Sequence, residues 1–344
     1  MNVIRFQPLH RAQQALCHYR VLMAALLLFI GLLSVIILSL CWGAVSLSWE
    51  ELGLAALRQG SLTNQTILWD LRLPRVIAAL IVGAALGVSG ALLQGMLRNG
   101  LADPFLLGIS AGAGLVSAAL LTLGVFQAWV PVAAWGGAIA TTLIVYFLGR
   151  TGAGLSVERL ILGGVAVSSL LAAIQSALLL AADDGRIQAA LTWLTGSLNG
   201  RGWSEVAIAG PYIGVALIGG CLLARTVNLL NLGDELAVGL GVSLVQSRYL
   251  IGGVATLLAA GAVSMCGLIG FVGLVVPHGV RLLVGTDYRW VLPLSALGGA
   301  LVLSFADLLA RSGAVEFPVG IVTALMGSPL FIWLLYRRSP MSEG

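Results

Sequence analysis

The side chains able to do chemistry in this sequence are few, and their spacing decides most of them. Gly108-Ile109-Ser110-Ala111-Gly112 fits the Gly-x-Ser-x-Gly pattern of serine hydrolases, and His278 stands in another apolar run. A Ser/His dyad inside a membrane would make an intramembrane protease. That pattern arises easily by chance in a chain with 45 glycines. Ser110 also sits early in a helix rather than on a strand-to-helix elbow, and no orienting or oxyanion group stands out. His278 follows Pro277, where capping a helix end is its ordinary role. His10, His18, His278 and the scattered acids give no i, i+3 or i, i+4 ligand pairs, so no metal site is predicted. Cys17, Cys41, Cys221 and Cys266 lack metal or redox spacing and read as small core residues. All 18 basic residues are arginines. Without lysine the chain has neither a Walker A loop nor a Schiff-base amine, so any ATP hydrolysis belongs to a partner.

Asp307 and Arg311 are different. They lie four apart in the favourable acid-first order, within an apolar run where an ionisable residue is a functional candidate by default. The simplest reading is a self-satisfied pair within one helix; the functional one is that Asp307 holds Arg311 aimed outward. Arg72 and Arg75 flank Pro74, which fits the first turn of a helix. A cation at a helix start opposes the macrodipole by about 0.3 to 1 kcal/mol, so an anion is expected nearby. Arg72, Arg75 and Arg311 together would form a patch suited to carboxylates on a docking protein, with lipid phosphate as the competing anion.

The elements that must position these residues follow from composition. With 59% hydrophobic and 9% charged residues the chain is an all-α polytopic membrane protein. The arginines punctuate apolar segments instead of forming a stripe, so no nucleic-acid partner is expected. Ten apolar runs are predicted to span: 21–42, 75–97, 106–124, 129–148, 160–181, 206–224, 249–265, 268–283, 291–310 and 319–336. The first is too long for a cleaved signal core. The eighth carries Pro277 and is predicted to be broken or short. Twelve arginines fall between runs on the amino-terminal side and six on the other, namely Arg58, Arg72, Arg75, Arg186, Arg201 and Arg311. That bias predicts both termini cytoplasmic, with a cytoplasmic segment 1–20, a membrane domain 21–336 and a tail 337–344. Segment 183–204, with Trp193 and Trp203, reads as an outer helix along the headgroups. Segment 228–246, NLLNLGDELAVGLGVSLVQ, is too polar to span; it reads as a cytoplasmic helix whose Leu236, Val238 and Leu240 dock something soluble. Glycines four apart (Gly83/Gly87, Gly108/Gly112, Gly210/Gly214) predict close helix packing and freedom to slide.

RLPR at Arg72–Arg75 with GAALGVSGALLQGMLRN and LADPFLLGISAGAG, then GDELAVGLGV, GLIGFVGLVVPHGVRLLVG, SALGGALVLSFADLLAR and EFPVGIVTALMGSPLFIWLL, in that order, resemble the permease family of bacterial ABC importers for iron-siderophores, haem and cobalamin. The similarity runs from Leu71 to Tyr336, and TWLTGSLNGRGW at Thr192 is most similar to the ferric-siderophore and ferric citrate branch. The resemblance implies a non-enzymatic permease subunit in the inner membrane, without cofactors of its own. It would pair with a second permease subunit, identical or homologous, two ATP-binding subunits and a periplasmic substrate-binding protein. It also implies that Arg72, Arg75 and Arg311 receive glutamates of the binding protein. The coupling loop seated in the ATPase would comprise Gly233, Asp234, Glu235, Leu236, Ala237, Gly239, Leu240 and Gly241, and the fifth and tenth spans would line the pathway. Gly100, where the family usually has Pro, and Phe317, where it usually has Leu, are departures. A secondary transporter, the rival reading, needs coupling-ion sites at mid-membrane, which only Asp307 approaches.

Overall fold

The computed structural model describes residues 7–43, 45–152, 154–313 and 315–337. Of the two predicted cytoplasmic ends, residues 1–6 and 338–344 lie outside the described residues. Among the described residues the regular structure is helical apart from one antiparallel pair, β1 (Arg150–Thr151) with β2 (Gly154–Leu155). Among the described residues seven helical stretches are long and apolar enough to cross a membrane: His18–Cys41, Leu62–Met96, Gln127–Leu148, Val157–Leu180, Trp203–Leu222, Leu244–Cys266 and Tyr288–Ala310. Three of the ten predicted spans are shorter helices: Ile109–Leu123, Val272–Val284 and Val319–Trp333. For the first two the reason is local. Leu106 and Leu107 are used in a 3-10 turn, Pro104–Leu107, whose Phe105 N–H is capped by Asp103 Oδ1 at 2.8 Å. Gly108 then breaks the path at φ +78°. Likewise Gly267 (φ +75°) and Phe271 (φ +69°) bend the chain before Val272.

In chain order the helices are α1 (Gln7–Cys41), α2 (Trp49–Ala56), α3 (Leu62–Thr66), α4 (Leu73–Met96), α5 (Ile109–Leu123), α6 (Val130–Leu148), α7 (Val157–Leu180), α8 (Asp184–Leu194), α9 (Trp203–Leu222), α10 (Ala224–Asn231), α11 (Asp234–Gly239), α12 (Leu244–Cys266), α13 (Val272–Val284), α14 (Tyr288–Ala310) and α15 (Val319–Arg337). Hydropathy leaves residues 43–74 unassigned. Here Ser48 and Glu51 form a reciprocal capping box that starts α2. A π turn, Ile67–Arg72, joins α3 to α4. The register widens so that Leu73 N–H reaches Leu68 O just before Pro74, which has no N–H to donate.

The core is α4, surrounded by α9, α12, α13 and α14. It is apolar on nearly every face, as a helix buried all round must be. Backbones touch along it. A methyl group on Gly83 would land on the Gly299 carbonyl oxygen, and one on Gly90 on that of Gly273. These glycines serve close packing. The Gly210/Gly214 pair does not pack this way, since nothing lies within 4 Å of a methyl built on Gly214. The periphery is looser: of the 24 residues of α7 only Leu160 and Gly164 are buried.

One polar side chain ties this core together. Gln94, 2% exposed, donates from Nε2 to the carbonyls of Ala102 (3.1 Å), Gly273 (3.2 Å) and Leu274 (3.2 Å). Its Oε1 accepts from Arg281 Nη2 at 2.5 Å. Gly273 is the residue four before Pro277, so its carbonyl has no helical donor. Gln94 supplies that donor from the neighbouring helix, which is how a proline is tolerated inside a membrane bundle.

Candidate functional site

Two ends of the bundle carry charged constellations. At the first, helix Leu62–Met96 begins well before Pro74, so Arg72 and Arg75 lie more than two turns inside it rather than at its start. The expected macrodipole penalty therefore does not apply. The counter-charges come from other elements. Arg72, 6% exposed, donates to the carbonyl oxygens of Leu40, Cys41 (3.0 Å) and Val45. It thus sits on the electronegative end of α1, where a cation is favoured. Arg75 grips Asp307 with Nε at 3.0 Å and Nη2 at 2.7 Å, and Nη2 also meets Glu316 at 2.7 Å. Arg311 Nη2 donates to Ser39 O at 2.7 Å, while its Nε stands 3.6 Å from Asp307.

Two expectations change here. The tight partner of Asp307 is Arg75 across the helices, with Arg311 a looser second. Nor does Asp307 aim Arg311 outward: that side chain is 8% exposed and turned to α1. The three arginines do converge, but as a buried junction of α1, α4 and α14. Its exposed member is Glu316, at 33%. The sequence reading missed Glu316; the signal was an isolated acid just before the last apolar run.

Segment 183–204 is likewise more than an interfacial helix. Its α8 packs on α5, and the following turn is stitched inward: Ser197 N–H donates to Cys266 O (2.8 Å) and Gly320 N–H to Gly196 O (3.1 Å). Trp193 packs against the core, and Trp203 Nε1 donates to Trp69 O at 2.8 Å. Beside this turn lies a cavity of about 460 Å³ whose lining includes Trp193, Ser197, Asn199, Arg201, Glu316 and Phe317.

At the opposite end, α10 leads to α11, which is entered through Gly233 at φ +108° and left through Gly241 at φ +85°. The predicted coupling residues separate into two groups. Asp234 accepts from Arg248 Nη2 (2.8 Å) and pairs with Arg98 (3.1 Å), and Ala237 is fully buried, so both fasten the helix to the bundle. Arg248 itself is buried and donates to Leu155 O at 2.8 Å. Glu235, Gly239 and Gly241 are exposed, and Leu236, Val238 and Leu240 present apolar side chains at 61%, 56% and 61% exposure. In the adjoining turn, burial raises the Asp103 carboxyl to about 6 against the pull of the Phe105 N–H.

Residues 28–337 match the FecCD transport family. The chain belongs to that family. It is 40% identical over 330 residues to the hemin transport system permease protein HmuU of Yersinia pestis, covering 92% of this chain and 98% of that one. It is 41% identical over 319 residues to the Fe(3+) dicitrate transport system permease protein FecD of Escherichia coli, covering 91% and 98%. Among solved structures, a metal-chelate type ABC transporter in an inward-facing conformation superposes with a TM-score of 0.82 at 31% identity, over 90% of this chain and 97% of that one. This FecCD protein is therefore a multi-pass membrane permease of a bacterial ABC importer for iron chelates, haem or cobalamin. It is a transport component without a catalytic site, so Ser110 and His278 are structural: Ser110 starts α5, and His278 is 7% exposed within α13.

Proposed function

We propose that the permease carries a ferric siderophore or similar iron chelate inward across the inner membrane on ten spans, with both termini cytoplasmic. A second permease subunit, identical or homologous, packs beside it; the weakly buried α7 and the face of α15 bearing Leu325 support that role. Two ATP-binding subunits seat α11, and a periplasmic binding protein docks at the arginine end. The observation that carries the reading is the apolar triplet Leu236, Val238 and Leu240, exposed on a helix that Asp234 and Ala237 hold fast. An apolar patch on a fixed helix among polar loops fits a protein partner, and movement imposed there passes directly into α12 through Arg248. At the other end, internal partners on all three arginines favour structure over lipid anchoring. A docking carboxylate would take over Arg75 from the exposed Glu316.

The similarity to ferric dicitrate and hemin permeases supports an iron-bearing cargo, and haem is the second reading. Proteoliposomes holding the whole importer, with binding protein and ATP, are expected to accumulate radio-iron chelate, while the lone permease accumulates none. Accumulation by the lone permease, or cobalamin as sole cargo, would overturn this. Leu236→Asp with Leu240→Asp is expected to abolish co-purification of the ATPase without changing the permease's elution in detergent. Retained ATPase binding would show that the triplet is not the seat.

A further inference from the structure

We propose that Arg201 and the cavity it lines form a subsite for a carboxylate-bearing metal chelate; this rests on reading the arginine end as the side where cargo enters. Six arginines belong to that end, and five are engaged. Arg58 lies over the Trp69 ring at 5.2 Å. Arg72, Arg75 and Arg311 are held by the carbonyls and carboxylates described above. Arg186 donates to Thr122 O at 3.1 Å and stands 3.9 Å from Asp183. Among the described residues of this group, only the Arg201 guanidinium has no hydrogen bond, ion pair or aromatic ring contact, and its Nε is buried without a partner. Glu205, which feels its charge, spends its own hydrogen bonds on Gly202 N–H and the Ser204 hydroxyl, both at 2.8 Å. A buried guanidinium N–H with no acceptor is costly, and an acceptor oxygen on a ligand removes that cost.

The surroundings suit a ligand. The cavity holds about 460 Å³, enough for a small chelate or the edge of a larger one. Ser197 Oγ accepts the Asn199 N–H at 3.1 Å and retains its own proton to donate. Glu316 also lines the space, but Arg75 at 2.7 Å neutralises it, so it does not cancel Arg201. Trp193 and Phe317 supply flat apolar walls. The turn bearing Arg201 is braced by the Ser197 to Cys266 and Gly320 to Gly196 bonds, so the guanidinium is presented on a fixed frame. One cation between aromatic walls fits a body whose rim carries carboxylates, as the free carboxylates of ferric citrate or the propionates of haem do. A cargo rimmed with neutral amides would leave Arg201 unpaired.

The test uses the full-length permease in lipid nanodiscs, titrated with hemin by absorbance and with ferric citrate by radio-iron dialysis. Cyanocobalamin serves as the carboxylate-free comparison. At least one carboxylate probe is expected to bind saturably, and which one binds identifies the source of the carboxylate. Arg201→Gln is expected to weaken that binding about 10- to 100-fold, the loss of a charge-assisted hydrogen bond, and Arg201→Lys less so. Asn199→Asp, at an exposed loop position, is expected to weaken it as well by placing a negative charge at the mouth. Failure of the wild type to bind either probe, equal affinity in Arg201→Gln, or cyanocobalamin binding with the same dependence on Arg201 overturns the proposal. ATP-driven uptake by the whole importer is measured alongside. Uptake that persists without Arg201-dependent binding removes the subsite and leaves the import reading standing; absence of uptake by the wild type removes the import reading itself.

Discussion

Gln94→Leu is expected to destabilise the permease by about 3 to 5 kcal/mol, and Pro277→Ala is expected to return part of that loss. Leucine fills much the same volume, so packing changes little and the cost is polar. The Gly273 and Leu274 carbonyls lose a donor at 3.2 Å and Ala102 O one at 3.1 Å, while Arg281 loses an acceptor at 2.5 Å. A buried acceptor left without a partner costs about 1 to 3 kcal/mol, and a hydrogen bond to a charged group is worth about 1.5 to 3 kcal/mol. The carbonyls of a helix keep some of their own bonding, so the cost comes mostly from Gly273 and Arg281, whose two contributions together bracket about 3 to 5 kcal/mol. Gly273 is the exception because Pro277 cannot donate to it. Replacing Pro277 by alanine supplies that N–H, so it should recover about 1 kcal/mol in the Gln94→Leu background and little or nothing in the wild type, where Gln94 already serves the carbonyl. Unfolding in mixed micelles of all four proteins, treated as a double-mutant cycle, measures the coupling. A Gln94→Leu cost below about 1 kcal/mol, or the same Pro277→Ala effect in both backgrounds, would refute the reasoning.

Two further outcomes are checkable in the same preparation. Asp307→Ala removes the carboxylate at 2.7 Å from Arg75 and 3.6 Å from Arg311, leaving Glu316 as the one carboxylate paired at this junction among the described residues, so a loss of about 3 to 5 kcal/mol is expected. Replacing Arg75 and Asp307 together by apolar residues should cost much less than the sum of the single changes. Asp103 titrates at about 6 in the folded protein, above its ordinary 3.8, because burial disfavours the charge. At this site the folded state therefore binds more protons than the unfolded one; the contribution of Asp103 to stability is fully present below about pH 4 and is lost as pH rises through 6. Asp103→Asn keeps an acceptor for Phe105 N–H and should flatten melting temperature against pH between 4 and 7, with the variant the more stable at pH 7.

Much of this was legible in the sequence, and the gaps have physical causes. Apolar runs report burial or lipid contact but not length along the membrane normal. Run 106–124 therefore reads as a full span, although Gly108 at positive φ shortens the helix inside it; run 268–283 reads as short on account of Pro277, yet Pro277 lies within α13 and the bend comes from Gly267 and Phe271, both at positive φ. Pro74 reads as a helix start because the widened turn before it depends on a backbone register that no residue type advertises. Asp307 and Arg311 satisfy a rule about neighbours on one helix, and Arg75 prevails because three-dimensional packing brings its guanidinium closer than the i, i+4 partner. Gln94 was visible as a lone amide in an uncharged run. Its task could not be read, because that task is set by Pro277 on another helix.

These particulars converge on α4, whose 24 residues make a rod of about 36 Å joining the two ends. Arg75 enters the carboxylate junction near its start, and Gln94 and Arg98 reach the α13 and α11 attachments at and just beyond its finish. Between them, Gly83, Gly87 and Gly90 bring its backbone against α14 and α13 so closely that one methyl group would not fit. A rod clamped in this way cannot be the part that gives. The more compliant elements are those that pack little against it, α7 above all, and α15, whose start is joined to the Gly196 turn and which packs on α13 and α14. Under the proposed seating of an ATPase on α11, force applied there would enter a stiff block through Asp234, Arg98 and Arg248, and displacement would appear at α7 and α15. On this account a methyl added at Gly83 or Gly90 damages folding, whereas changes on the exposed face of α7 alter the rate of passage and leave the fold intact.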